Sequence, residues 1–139
     1  MWAYEHGVVT KASPGAVWGC YEDPAVWPEW DEELRELQLD GPFGAGVTGT
    51  MHLHGRPPLA FAVVEAAERQ GLSTETALAD GTVVRFVHRL AERADGGTRI
   101  VHRVELEGPS AGESLGGQIA GPVPDAMRRL AAVAEARGG

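Results

Sequence analysis

The chain has 139 residues, of which 43% are hydrophobic and 23% charged, a composition typical of a folded domain rather than of a disordered segment. Its net charge of -8 and its isoelectric point near 5.0 disfavour binding to nucleic acid or to anionic membranes, because both carry negative charge. Cys20 is the only cysteine, which excludes an internal disulfide and a cysteine-rich zinc site.

These totals predict one domain, residues 1–139, with one hydrophobic core. The first residues lack the basic and apolar segments of a secretion signal, and no run of about 18 apolar residues could span a membrane. We therefore expect a cytoplasmic protein without membrane insertion. A monomer and a homodimer both stay open.

The chain opens with a predicted strand and two short helices. From Trp2 to Thr10 large side chains alternate with small or charged ones, which is the period of a half-buried strand. Ser13 and Pro14 form a helix start signal, since serine caps free amides and proline suits the first helical turn. Asp23-Pro24 repeats this signal, but the next proline predicts that the second helix is short and broken.

A meander of about six strands follows. Short apolar runs are separated by glycine, proline and aspartate turns, and these connections are too short for parallel crossovers. The pairing is therefore predicted to be antiparallel. The runs are Leu34–Leu39, Val47–Leu53, Leu59–Ala67, Leu72–Ala77, Thr82–Arg93 and Thr98–Glu107.

The last segment predicts a C-terminal helix that begins after Pro124 and ends near Arg137. Its apolar stripe consists of Ala126, Met127, Leu130, Val133 and Ala134. The glycines and prolines from Gly108 to Pro124 predict low helix stability, which should break the first part of this helix. Whether that segment forms a helix, a loop or a mobile lid stays open.

His88 and His102 lie on the apolar faces of two neighbouring predicted strands. If Asp95-Gly96 forms the turn between them, antiparallel pairing brings the two rings roughly opposite each other. Two imidazoles would then project into one interior. Four interpretations stay open: structural histidines of the core, a polar handle for a ligand, a proton-transfer pair, and part of a metal site.

Three further features of the sequence give weaker indications of a functional site. His52 or His54 could add a metal ligand, but their spacing also fits solvent-facing positions. The G-x-G-x-x-G motif from Gly44 to Gly49 precedes a strand rather than a helix, so it predicts a loop and not a dinucleotide site. Cys20 has no positioned base and is expected to be a buried apolar residue. No cofactor and no metal are expected.

Three motifs and the order of the elements resemble a known family. The motifs are KASPGAVW at Lys11–Trp18, WPEW at Trp27–Trp30 and PDAMRRL at Pro124–Leu130. Over essentially the whole chain they are similar to the START-like (SRPBCC) superfamily, and more narrowly to its bacterial polyketide cyclase/dehydrase and lipid-transport group, related to the birch-pollen allergen. The resemblance implies an α+β helix-grip fold, in which a seven-stranded antiparallel curved sheet wraps around a C-terminal α-helix, with two short helices after strand 1.

The resemblance also implies a function. Such proteins hold apolar ligands in a cavity between the sheet and the C-terminal helix. By location, the predicted ligand-binding residues are Trp30, Phe61, Phe86, His88, His102, Met127 and Leu130. The family shares no universal catalytic residue, so the catalytic residues are unknown, with His88 and His102 as candidates.

We therefore expect a protein that binds a small hydrophobic ligand, such as a lipid, a polyketide or an aromatic metabolite, without a cofactor and without a nucleic acid partner. One alternative is an aromatase/cyclase or dehydratase type of enzyme, in which His88 or His102 moves a proton on a polyketide-like substrate. A second alternative is a co-chaperone-like or stress-response adaptor. All three expectations rest on analogy of fold.

Overall fold

The computed structural model describes residues 1–138. Its strands are β1 (Trp2–Thr10), β2 (Leu34–Leu39), β3 (Thr48–Leu53), β4 (Leu59–Ala67), β5 (Gly71–Ala77), β6 (Val83–Glu92) and β7 (Thr98–Glu107). Its α-helices are α1 (Pro14–Glu22), α2 (Trp27–Trp30), α3 (Glu113–Ala120) and α4 (Val123–Gly138), with a 3₁₀ turn at Pro24–Val26. None of these helices is both long enough and apolar enough to cross a bilayer.

The predicted fold class is confirmed. The strands form one antiparallel sheet in the order β1-β7-β6-β5-β4-β3-β2. Four strands have the predicted bounds, and the other three differ by one residue at one or both ends. The β6–β7 connection turns at Gly96, whose positive φ of 85° suits glycine and whose amide donates to the carbonyl oxygen of Arg93 at 2.9 Å.

The two short helices begin where the sequence predicts. Ser13 Oγ accepts a hydrogen bond from the Ala16 amide at 3.2 Å, and Asp23 Oδ1 accepts one from the Ala25 amide at 3.0 Å. Each side chain satisfies an amide that has no partner inside its own helix. Pro28 lies in the first turn of α2, where its missing amide donor is tolerated, and α2 ends after one turn.

The core lies between the sheet and α4. Helix α4 packs against β1, β7, α1 and α2, and its buried side chains recur at helical spacing. These side chains are Val123, Met127, Leu130 and Ala134. The far end of α4 is fixed to β1, because Thr10 Oγ1 donates a hydrogen bond to Glu135 Oε2 at 2.6 Å.

The glycine-rich segment before α4 forms a helix of its own, α3. The predicted break is present at Gly121 and Pro122, but the eight residues before it are helical, an outcome that the sequence had left open. The indole of Trp2 packs on Gly116, where an added Cβ would lie 2.5 Å from the ring. Because glycine has low helix propensity, α3 depends on such packing more than on its own stability.

The outer face of the sheet carries a ladder of charges. Arg85 Nε donates to Glu75 Oε2 at 2.7 Å and Arg85 Nη1 donates to Glu105 Oε1 at 3.3 Å. Arg103 Nε donates to Glu105 Oε2 at 2.7 Å, and this hydrogen bond lowers the pKa of Glu105. These charged groups therefore neutralise one another on the side of the sheet that faces away from α4.

Candidate functional site

Two histidines lie side by side inside the sheet. His88 on β6 pairs in register with His102 on β7, as predicted. Their ring centroids are 4.3 Å apart and the rings meet edge to face, with an angle of 78° between their planes. Each residue is only 4% exposed, so both imidazoles belong to the interior.

Tyr21 on α1 completes this group. Tyr21 Oη and His102 Nε2 are 2.7 Å apart in a buried hydrogen bond. The Tyr21 ring lies 5.2 Å from the ring of His88, centroid to centroid, and Tyr21 has no exposed surface. We call Tyr21, His88 and His102 the interior cluster. No local sequence pattern predicts the contact between Tyr21 and His102, because the two residues are 81 positions apart.

Two tryptophans hold Tyr21 in place. Trp27 Nε1 donates a hydrogen bond to the Tyr21 carbonyl oxygen at 2.7 Å, and Trp30 Nε1 donates one to the Cys20 carbonyl oxygen at 3.2 Å. Both carbonyls belong to the last turn of α1, where no further helical amide is available to them. The Tyr21 and Trp30 rings also meet edge to face, 5.9 Å apart. The WPEW motif therefore caps α1 and encloses the interior cluster.

Burial keeps the interior cluster uncharged at neutral pH. It lowers the pKa of His88 to about 4, a change that the backbone of Leu72 opposes. It also lowers the pKa of His102 well below the usual range, and positive charge on His88 or His6 would add to this effect. For Tyr21, burial and then negative charge on Cys20 raise the pKa well above the usual range.

One polar atom of the interior cluster has no partner. His88 Nδ1 is buried and no group of residues 1–138 forms a hydrogen bond of good geometry with it, although the backbone of Leu72 is near enough to raise the pKa of His88. Leaving such an atom unpaired costs about 1–3 kcal/mol, and most buried polar atoms in proteins are paired. Phe86, two positions before His88 on the same strand, stacks beside it at 6.4 Å and is only partly buried. A partly accessible aromatic side chain thus lies beside His88 on the same face of the sheet.

A third histidine lies next to the pair on the neighbouring strand. His6 on β1 pairs in register with His102, so three neighbouring strands carry histidine at the same level of the sheet. His6 is only partly buried. Its alternation within β1 indicates the correct face, but the neighbourhood depends on β1 pairing with β7, from the other end of the chain.

The other predicted ligand-binding residues lie in the same core. Trp30 is 3% exposed and Phe61 5%, whereas Met127 and Leu130 have no exposed surface. Phe86 is partly buried and packs against the edge of this core. The structure therefore gathers the predicted set in one interior, and their role in ligand binding stays a prediction.

The interior is filled at the level of the histidines. Tyr21, Met127 and Leu130 have no exposed surface, so they border no space large enough for a water molecule. One depression of about 470 Å³ lies between the β5–β6 turn and α3, and another of about 440 Å³ lies on the outer face of the sheet. Neither of these two depressions lies between the sheet and α4. The cavity that the resemblance implies stays a prediction.

The histidine pair gains no third metal ligand from the places the sequence suggests. His52 points away from the core and its Nε2 is 2.7 Å from Gln38 Oε1, while His54 is exposed in the following turn. No three metal-binding side chains within residues 1–138 are placed to hold an ion. The suggestion that His52 or His54 completes a site with the pair is therefore wrong.

Packing explains the last glycine of the G-x-G-x-x-G motif, Gly49, and the burial of Cys20. At Gly49 an added Cβ would lie 2.2 Å from the Gln38 carbonyl oxygen and 2.8 Å from the Phe61 ring, so the neighbours require glycine there. Cys20 is fully buried, and burial raises the pKa of its thiol, which disfavours the reactive thiolate. Both features serve the fold.

Comparisons with known proteins were made for the sequence and for the structure. The sequence model of the family described as polyketide cyclase / dehydrase and lipid transport matches residues 1–135. None of the curated proteins compared is significantly similar to the chain.

Several solved structures share the fold. Protein MLL2253 from Mesorhizobium loti is 18% identical, with a TM-score of 0.75 over 97% of this chain and 98% of that one. Ara h 8.0201 is 11% identical, with a TM-score of 0.76 over 97% and 98%. The Aha1 dimer from Colwellia psychrerythraea is 15% identical, with a TM-score of 0.71 over 99% and 100%. At such low identities these structures show the fold alone.

Proposed function

Because the chain belongs to the polyketide cyclase / dehydrase and lipid transport family, we propose that it binds a small, largely apolar molecule between its sheet and α4. The ligand is a lipid, a polyketide or an aromatic metabolite, and one polar group of it pairs with the interior cluster. The binding needs no cofactor. We further propose that the protein works in the cytoplasm as a monomer or a homodimer.

The observation that carries this proposal is the unpaired Nδ1 of His88. It is a buried polar atom whose surroundings are mainly aromatic and apolar. A ligand with one polar group would remove the cost of leaving that atom unpaired, while its apolar part would gain about 25 cal/mol for each Å² removed from water. The histidine thus fixes the orientation and the apolar contacts supply most of the affinity.

Binding must be accompanied by a local expansion of the interior. Tyr21, Met127 and Leu130 leave no room for a water molecule beside them, so a guest that reaches Nδ1 past these residues has to displace side chains. Phe86 is a partly buried neighbour of His88, and we expect the guest to approach along its ring. We expect association to be slower than diffusion because of this opening step.

Native mass spectrometry of the purified protein tests the proposal. We expect a reproducible mass increment for one bound guest, which extraction and a second mass measurement then identify. His88→Phe should lower the occupancy, because phenylalanine keeps the ring shape and removes Nδ1. His52→Phe is the matched control, since His52 points away from the core.

Two outcomes would contradict the proposal. Occupancy that is unchanged in His88→Phe would show that His88 does not hold the ligand. A protein that carries no guest, and whose core amide and ring NMR signals do not move with any small aromatic or lipid added, would show that the interior does not open.

The hydrogen bond between Tyr21 and His102 favours a second candidate, an aromatase/cyclase type of enzyme. In an aldol closure of a poly-β-ketone, a histidine would remove a proton from a carbon between two carbonyls, and the Tyr21 hydroxyl would protonate the carbonyl oxygen that the new carbon–carbon bond converts to an alcohol. The lowered pKa values of both histidines make them weak bases at neutral pH, however. For this reason we rank the enzyme below the binding protein.

Tyr21→Phe separates the two functions. In an enzyme this variant loses turnover of a synthetic poly-β-ketone, followed by the absorbance of its aromatic product, while the affinity for the substrate is largely kept. In a binding protein the wild type shows no turnover above buffer, and the variant changes only affinity or stability.

A further inference from the structure

The polar side chains of the interior are all uncharged in their ordinary neutral forms. Within residues 1–138 the buried polar residues include no lysine, arginine, aspartate or glutamate. They are Thr10, Thr76, Thr82, His88, Thr98 and His102, together with Ser73, which lies on the outer face of the sheet. The arginines that pair with carboxylates do so at partly exposed positions, as in the ladder of Arg85 and Arg103. A buried charge on a ligand would therefore meet no permanent counter-ion.

The histidine pair is a poor substitute for a cation. The titratable side chains around it are Tyr21 on α1, whose phenol is hydrogen-bonded to His102, and His6 on β1, which is partly buried. Protonation of either member would place a positive charge 4.3 Å from a neighbouring imidazole and among the rings of Trp27 and Trp30. A carboxylate could be neutralised there only if the complex took up a proton.

An ammonium group on a ligand would also find no buried counter-ion. The fully buried acceptor side chains are hydroxyl oxygens and a neutral imidazole nitrogen. The described carboxylates are all at least partly exposed, and burial raises the pKa of Asp31, which disfavours its charged form. A cation transferred to such surroundings loses its hydration without gaining an opposite charge. A hydroxyl or a ketone, by contrast, needs only the single hydrogen bond that His88 Nδ1 leaves unmade.

We propose that the interior selects apolar ligands whose polar group is uncharged, such as an alcohol, a phenol or a ketone, and excludes carboxylates and amines at neutral pH. This inference rests on the proposed function, since it concerns the same interior. It divides the candidate ligands: neutral polyketides, sterols and fatty alcohols fit the site, whereas ionised fatty acids do not.

Three probes of one shape test the selection. 2-Naphthol, 2-naphthoate and 2-methylnaphthalene share an apolar ring system and differ in one substituent. Titration at pH 7.5, followed by probe fluorescence or calorimetry, should give 2-naphthol about tenfold higher affinity than 2-methylnaphthalene and at least hundredfold higher affinity than 2-naphthoate.

The pH dependence provides a second readout that needs no variant. If naphthoate enters only with a proton, its affinity should fall about tenfold for each pH unit between pH 6.5 and 8, whereas the affinity for 2-naphthol stays constant. In His88→Phe the affinity for 2-naphthol should fall to that for 2-methylnaphthalene. In His52→Phe the order of the three affinities should be unchanged.

The possible results distinguish the two proposals. If naphthoate binds as tightly as 2-naphthol at pH 7.5, the charge selection is wrong while the ligand-binding function stands. If none of the three probes binds up to its solubility limit, the binding function itself fails and the selection with it. The expected order of affinities, together with its loss in His88→Phe, supports both the binding function and the charge selection.

Discussion

The interior cluster and the α3 end of the same protein are stabilised in different ways. Around the cluster, indole hydrogen bonds cap α1, and α4 presents side chains with no exposed surface. At the other end, α3 contains consecutive glycines, is held by the contact of Trp2 with Gly116, and borders a depression of about 470 Å³. Local opening should therefore begin at α3 and leave the cluster intact. One part of the fold fixes polar groups while another is free to move.

Equivalent leucine truncations should show the largest contrast between the two regions. Leu130→Ala removes a fully buried side chain of α4 and is expected to lower the free energy of unfolding by about 3 kcal/mol. Leu115→Ala removes a partly buried side chain of α3 and should cost about 1 kcal/mol or less. Urea denaturation of both variants measures the difference. Equal losses would mean that α3 is as firmly integrated as α4.

Acidification should weaken the interior cluster specifically. The pKa of His88 is about 6.5 in an unfolded chain and about 4 in the fold, so between these values the unfolded state binds more protons. The contribution of neutral His88 to the free energy of unfolding is fully present above pH 6.5 and is lost as the pH falls towards 4. The total loss is about 3 kcal/mol. Denaturation at several pH values, compared with His88→Leu, isolates this loss. A stability difference between the two proteins that does not change with pH would be the contrary result.

Removal of one hydroxyl group should have a smaller effect. Tyr21→Phe keeps the ring among its aromatic neighbours but leaves His102 Nε2 without its partner. We expect a loss of about 1–2 kcal/mol in unfolding free energy, together with a shift of the His102 ring signals in NMR spectra. Tyr4→Phe is the control, because Tyr4 is a partly buried tyrosine on β1. Similar effects of the two substitutions would argue against a special role for the buried hydrogen bond.

Substitutions at two neighbouring glycines of α3 should have the smallest effects. An added Cβ at Gly117 meets nothing within 4 Å, so Gly117→Ala should stabilise α3 by about 0.5–1 kcal/mol through helix propensity. At Gly116 the same Cβ would lie 2.5 Å from the Trp2 indole, so Gly116→Ala should displace Trp2 and loosen the helix. Hydrogen exchange of the amides from Glu113 to Ala120 should slow in the first variant and accelerate in the second. If exchange changes in the same direction in both variants, the contact between Trp2 and Gly116 is not what holds α3 in place.

Local patterns predict most of the fold but only part of the site. Alternation and turn residues give the strands to within a residue, and Ser13 and Asp23 mark the helix starts. The same alternation, with the turn at Gly96, places His88 opposite His102. These signals work because each depends on residues that are close in sequence or joined by a tight turn.

The remaining features depend on contacts between distant segments. Tyr21 meets His102 only after α1 has packed across the sheet, and the WPEW motif gives no sequence sign that its indoles bond to the carbonyls of α1. Whether aromatic side chains line a void or fill it is also set by packing in three dimensions.

The pairing of β1 with β7 has a consequence for how the protein folds. Trp2 pairs with Leu106, whereas β3 to β7 each pair with the strand that precedes them in the chain. The meander can therefore assemble from local hairpins, but β1 must wait until β7 has been synthesised. Until β1 adds to the sheet, the backbone edge of β7 has no strand to pair with, and His102 lacks its neighbour His6. A newly made chain is thus most prone to aggregate through β7, and docking of its first strand ends that exposure.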